Sequence, residues 1–171
     1  MLPKSNVELN ICRDAEASGS LEPDSTGHVW ALETLKTTQA LGRSLARELP
    51  REAILLLSGP LGAGKTSLVQ GLAEGLGIRE PITSPTFALA QHYPQGTPQL
   101  VHLDLYRLEH PAAADELFMQ EEEEARAVGA LMAVEWPERL GLDLPEAWRL
   151  ELIHQAEGRL AQLTTPRKAS T

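Results

Sequence analysis

Gly59, Gly62, Gly64, Lys65 and Thr66 sit in the stretch SGPLGAGKTS at the spacing G-x-x-x-x-G-K-S/T, the spacing of a phosphate-binding loop. Glycines there permit backbone torsions that other residues avoid, so successive N–H groups can point inward and form a concave anion site at the start of a helix. Leu61, Ala63 and Ser67 complete the loop and count with these residues as expected nucleotide contacts. In this chemistry Lys65 neutralises the β- and γ-phosphates, and the Thr66 hydroxyl is a direct ligand of Mg²⁺. Such a loop also needs a carboxylate for the metal's water shell, and hydrolysis needs a group that positions the attacking water. Glu135 after LMAV and Asp104 at the end of VHLD compete for these roles. Strand pattern favours Glu135, since Asp104 would serve equally as a solvated hairpin residue; spacing does not rank them. The base-reading string N/T-K-x-D of guanine-specific enzymes does not occur, so ATP is the expected nucleotide.

The elements around the loop have the order this chemistry requires. AILLLS, residues 53–58, is a continuous apolar run of strand length, as in a parallel strand covered on both faces. From Lys65 the pattern turns helical, with Leu68, Val69, Leu72, Ala73 and Leu76 on one side and Gly77 placed to end it. Upstream, HVWAL predicts a short strand, followed by a helix from about Thr34 to Leu49 with Leu35, Thr38, Leu41, Leu45 and Leu49 on one face and Pro50 as its stop. Downstream, TFALAQHY and QLVHLDLY read as an antiparallel hairpin through PQGTP. DELF and EEEEARAV predict a broken, mostly solvated helical region, ALMAVE a buried strand, and WRLELIH and RLAQLT a final hairpin through AEG. The expected fold is α/β, a single P-loop NTPase-like domain over 27–164. Its mixed central sheet is flanked by helices on both sides, with the phosphate loop at the end of a central strand. Residues 1–26 lack a period to bury and read as a disordered leader; residues 165–171 read as a frayed tail.

Charge narrows the partners. With 24 acidic against 15 basic side chains the formal net charge is −9, which repels polyphosphate backbones and argues against an autonomous nucleic-acid binder. The single cysteine, Cys12, makes no internal disulfide, charges interrupt the N-terminus where a signal peptide needs an apolar run, and no segment reaches membrane-spanning length. A cytoplasmic protein without membrane contact is expected. His92 and His154 carry no assignment, Trp30 and Trp148 read as packing residues, and Glu121 to Glu124 read as a solvated helix surface. His102 lies two residues before Asp104 on the same strand face and is within reach of the site, although no second ligand at suitable spacing supports a zinc role.

Four strings in order, GPLGAGKTSLVQGLAEGLG, SPTF, HLDLYRL and VEWPERL, resemble the bacterial TsaE family over about Thr38 to Arg159. The resemblance implies an ATPase subunit of the tRNA threonylcarbamoyladenosine machinery. It would bind the TsaD and TsaB proteins and by hydrolysis reset their complex, touching tRNA only through it. It further implies Asp104 at the Walker B-like metal position and Glu135 as second carboxylate near Mg²⁺ or water. Thr86 of SPTF would sense the γ-phosphate, Trp136 would adjoin the nucleotide, Thr38 would lie on the nucleoside side, and Tyr106 and Arg107 would face the partner. Two departures stand out: Pro60 where the family often has an acidic residue, and MQEEEEARAVG where it usually has a glycine-containing turn. A small-molecule or nucleoside kinase and a non-hydrolysing ATP-dependent interaction module are the rival readings. The first lacks an arginine-rich lid, and the second would not need two carboxylates.

Overall fold

The structure, a computed structural model, describes residues 27–85 and 87–167. The leader expected over 1–26, the expected γ-phosphate sensor Thr86 and the last four residues lie outside the described residues. The described chain forms strand β1 (Gly27–Leu32), helix α1 (Leu35–Glu48), β2 (Ile54–Ser58), α2 (Lys65–Gly75), β3 (Ala90–Tyr93), β4 (Leu100–Asp104), α3 (Pro111–Ala127), β5 (Leu131–Glu135), β6 (Trp148–His154) and β7 (Arg159–Thr164). One seven-stranded sheet runs in the order β1-β7-β6-β2-β5-β4-β3, which puts β2 at its centre. The strands β6, β2, β5 and β4 are parallel, and antiparallel strands close both edges. This is a mixed α/β sheet of P-loop NTPase type. No helix among the described residues is long and apolar enough to cross a membrane.

The sheet's period of two explains the apolar run in β2. Leu55 and Leu57 face α1 and α2 with Leu68, Val69 and Leu72, whereas Ile54 and Leu56 face α3 with Phe118 and Val134. Both faces are therefore covered. α1 starts at Thr34, whose hydroxyl accepts from Thr37 N–H (3.2 Å) while Thr37 Oγ1 accepts from Thr34 N–H (3.0 Å), a reciprocal cap made with threonine in place of glutamate. Leu49, before Pro50, is extended, as sterics before proline demand. One member of the predicted apolar face departs: Leu35, in the first turn, is half exposed beside the phosphate loop.

α1 and α2 cross so closely that two glycines are structural. A Cβ at Gly71 would lie 2.0 Å from Gln39 O, and one at Gly42 would lie 2.3 Å from Leu68 O. This contact fixes α2, and hence the loop that opens it, against the sheet.

The region expected to be a broken helix is instead one continuous helix of 17 residues, α3. Pro111 occupies its first turn and Gly129 (φ 65°) follows its end, while nothing between breaks it and Met, Gln, Glu and Ala favour helix. Nor is the glutamate run uniformly solvated. Glu121 continues the inward face of Ala114, Phe118 and Ala125 and is only 8% exposed. It meets His92 on the edge strand β3 at 2.5 Å, and Glu124 Oε2 lies 3.9 Å from the same nitrogen. Spacing of three along a helix, rather than adjacency, brings the two carboxylates to one flank. At the other end, Arg167 N–H donates to Pro145 O (2.8 Å) and its guanidinium pairs with Asp143, so the first residues of the expected tail are tied to a loop.

Candidate functional site

The phosphate loop leaves β2 at Ser58 and enters α2 at Lys65. Gly64 caps α2 in the left-handed region (φ 103°), and Gly62 (φ 76°) needs the same freedom although open space surrounds it. Lys65 curls back over the loop, donating to Gly59 O (2.5 Å) and Pro60 O (3.0 Å), with its ammonium 4.2 Å from the centre of the Trp136 ring. Burial lowers the Lys65 pKa, and the carboxylates of Glu135, Glu138 and Asp104 act in the opposite direction without reversing it.

The two carboxylates arrive from adjacent parallel strands. Asp104 ends β4, Glu135 ends β5, and they are register partners. Glu135 Oε1 accepts from Thr66 Oγ1 (3.0 Å) and lies 3.3 Å from His102 Nε2. Asp104 uses both oxygens: Oδ2 accepts from Ser84 Oγ (2.5 Å) and Oδ1 from Tyr106 N–H (3.0 Å). Trp136 takes a left-handed conformation (φ 60°) at the strand end, which brings its ring between Lys65 and Tyr106. A tryptophan there is strained, and its contacts with both neighbours hold it.

The resulting cleft encloses about 480 Å³ and is lined by Leu61, Gly62, Ala63, Gly64, Lys65, Thr66, Ser67, Asp104, Glu135 and Trp136, all expected at the site, together with Leu35, Ser84, Tyr106 and Arg159. Gly59 does not line it. A Cβ there would meet Leu152 O at 2.6 Å, so its role is the close approach of the loop to β6. Thr38 is buried behind the loop, its hydroxyl donating to Thr34 O (3.3 Å) and its methyl facing Gly64. The oxygen acceptors, the hydroxyl of Thr66 and the carboxylates of Asp104 and Glu135, form a hard donor set that suits Mg²⁺.

Ser84, which donates to Asp104, and Arg159 are polar site residues that the sequence pattern did not single out. Arg159 is the more distant. It opens β7, far along the chain from the loop, and its Nη2 is 3.5 Å from Gly62 O; Nε is buried without a partner among the described residues. No local spacing links Arg159 to Lys65. Only the antiparallel return of β7 beside β6 brings it to the loop.

The profile of the family described as "Threonylcarbamoyl adenosine biosynthesis protein TsaE" matches residues 32–162. The chain is similar to a Synechocystis protein named tRNA threonylcarbamoyladenosine biosynthesis protein TsaE, at 49% identity over 64% of this chain and 69% of that one. A Mycobacterium bovis protein of the same name is 38% identical over 79% of this chain and 85% of its own. Among solved structures, the crystal structure of Bacillus subtilis YdiB superposes with a TM-score of 0.66 and 26% identity, covering 85% of this chain and 89% of that one. A family match over residues 32–162, most of the described chain, together with relatives 38% and 49% identical, shows that this protein belongs to the TsaE family.

Proposed function

We propose that the protein binds ATP with Mg²⁺ in this cleft and hydrolyses it, and that hydrolysis resets a complex of TsaD and TsaB during threonylcarbamoyl modification of the tRNA adenosine next to the anticodon. The observation that carries the ATPase reading is the convergence of Lys65, Thr66, Asp104 and Glu135 from three elements on one cleft. The names of the relatives carry the pathway. Mg²⁺, held by Thr66, Asp104 and Glu135, supplies charge neutralisation on the phosphate oxygens. Loop amides from Leu61 to Ser67 hold the phosphates, and Lys65 exchanges the carbonyls of Gly59 and Pro60 for phosphate oxygens. Arg159 adds a second cation beside Gly62. Asp104, with both oxygens held, suits a fixed metal position, and Glu135, bonded through one oxygen, suits the water. Thr86 is retained as the γ-phosphate sensor and Thr38 as a support on the nucleoside side.

Exposed Leu61 and Tyr106 line the cleft, and next along the chain Arg107 stacks over exposed Phe87 at 4.4 Å, a surface suited to partner proteins. Contact with tRNA is indirect, through TsaD and TsaB, and the site of action is the cytoplasm. A kinase would need a cationic lid, whereas the arginine of α3, Arg126, is bonded to Glu122 on an exposed face. ATP turnover of the purified chain, alone and with TsaD and TsaB, tests the proposal: slow turnover that the partners accelerate is expected, and full activity indifferent to them removes the coupling. Glu135→Gln should lower turnover by about a hundredfold or more while ATP affinity stays within a few-fold, as for a group that acts mainly in the transition state. Equal loss of binding and turnover would make Glu135 structural.

A further inference from the structure

His102 is wholly buried on β4, between Leu100 and Asp104 on the face that α2 covers. An apolar side chain is the ordinary occupant of such a place. Its Nε2 faces Glu135 Oε1 at 3.3 Å, and its Nδ1 has no partner among the described residues. A buried polar atom left unpaired costs stability, so packing does not account for an imidazole here. Among the described residues, Glu135 is the group that makes use of it.

We infer that His102 is a positioning residue that aims the Glu135 carboxylate at the metal and its water. The inference rests on the ATPase reading above. A carboxylate only accepts, so Nε2 carries the hydrogen that His102 gives to Oε1. Thr66 O–H donates to the same oxygen at 3.0 Å. Both anchors therefore pull on Oε1, which leaves Oε2 for the metal or for water. The two anchors differ in place. The Thr66 hydroxyl lines the cleft, where it would coordinate Mg²⁺ through a lone pair while its hydrogen still donates to Oε1, whereas His102 lies beneath the cleft and does not line it. His102 is thus the anchor that owes nothing to nucleotide or metal, and with it the Glu135 carboxylate is held at Oε1 from two directions and kept from turning.

Comparing His102→Leu with His102→Gln tests this. Leucine keeps the volume without the donor; glutamine keeps an N–H at comparable reach. For His102→Leu, kcat should fall at least about tenfold with KM for ATP within about twofold, and the gain in affinity for a fluorescent ADP on adding Mg²⁺ should shrink while Mg²⁺-free binding is unchanged. His102→Gln should recover most of both. Wild-type turnover and wild-type Mg²⁺ dependence in the leucine variant, or a glutamine variant no better than leucine, would overturn the assignment. If the leucine variant does not fold, His102→Met takes its place under the same criteria. Should the wild-type chain itself fail to hydrolyse ATP with its partners present, the proposed function falls, while the Mg²⁺ dependence of ADP binding still decides the role of His102.

Discussion

At the scale of single residues the site is a balance between an ammonium group and three carboxylates under partial burial. Lys65 has its pKa lowered from the ordinary 10.5, with burial as the largest cause. A lysine whose folded-state pKa is lowered binds its proton less tightly when folded. The charged form therefore weighs against the fold below that folded value, and stability rises with pH from there up to 10.5. Lys65→Met should remove this dependence. Denaturant titrations between neutral pH and pH 10 should find the variant at least as stable as wild type at the lower end, with wild type gaining relative to it as pH rises. The same variant should lose the nucleotide-induced rise in Tm, because the cation facing the phosphates is gone. A variant that unfolds at neutral pH would show instead that the bonds to Gly59 and Pro60 stabilise the loop.

Elements set where these residues can be. The contact of α1 with α2 leaves no room for a methyl group at Gly71, 2.0 Å from Gln39 O. Gly71→Ala should cost about 2–3 kcal/mol in urea titration, as overpacking against backbone does, and should also weaken nucleotide binding because α2 carries the loop on its first turn. The junction of α3 with the edge strand β3 is different in kind. Glu121 fills an inward position and is held by His92, whose side chain is 42% exposed and can turn to water, so losing the buried carboxylate and losing the imidazole have opposite effects. Glu121→Leu should be neutral or stabilising, whereas His92→Ala should cost about 1–3 kcal/mol by leaving the carboxylate buried and unpaired. Denaturation of both variants reads this directly. This hydrogen bond accounts for a histidine and a glutamate to which the sequence pattern assigned no role.

For the whole molecule, charge and topology act together. A net charge of −9 should keep tRNA from binding to the chain alone at physiological salt, and tRNA retention in a filter assay should appear when TsaD and TsaB are present. Tight binding by the isolated chain would contradict the indirect contact proposed above. The linear sequence was enough to establish the loop, its strand and helix, the two hairpins and the α/β class. Each rests on interactions within a few residues or on the periodicity of a buried face: Gly64 before Lys65, the run ILLLS, the alternation in WRLELIH. It misjudged α3, because a run of glutamates in isolation resembles a solvated surface and only the sheet beneath shows that Glu121 turns inward. Tertiary structure alone decided that Asp104 and Glu135 stand side by side, that His102 bonds to one of them, and that Arg159 returns to the loop. These contacts depend on strand order and register, and strands next to each other in a parallel sheet are joined by long crossovers, so no local spacing records which side chains will meet.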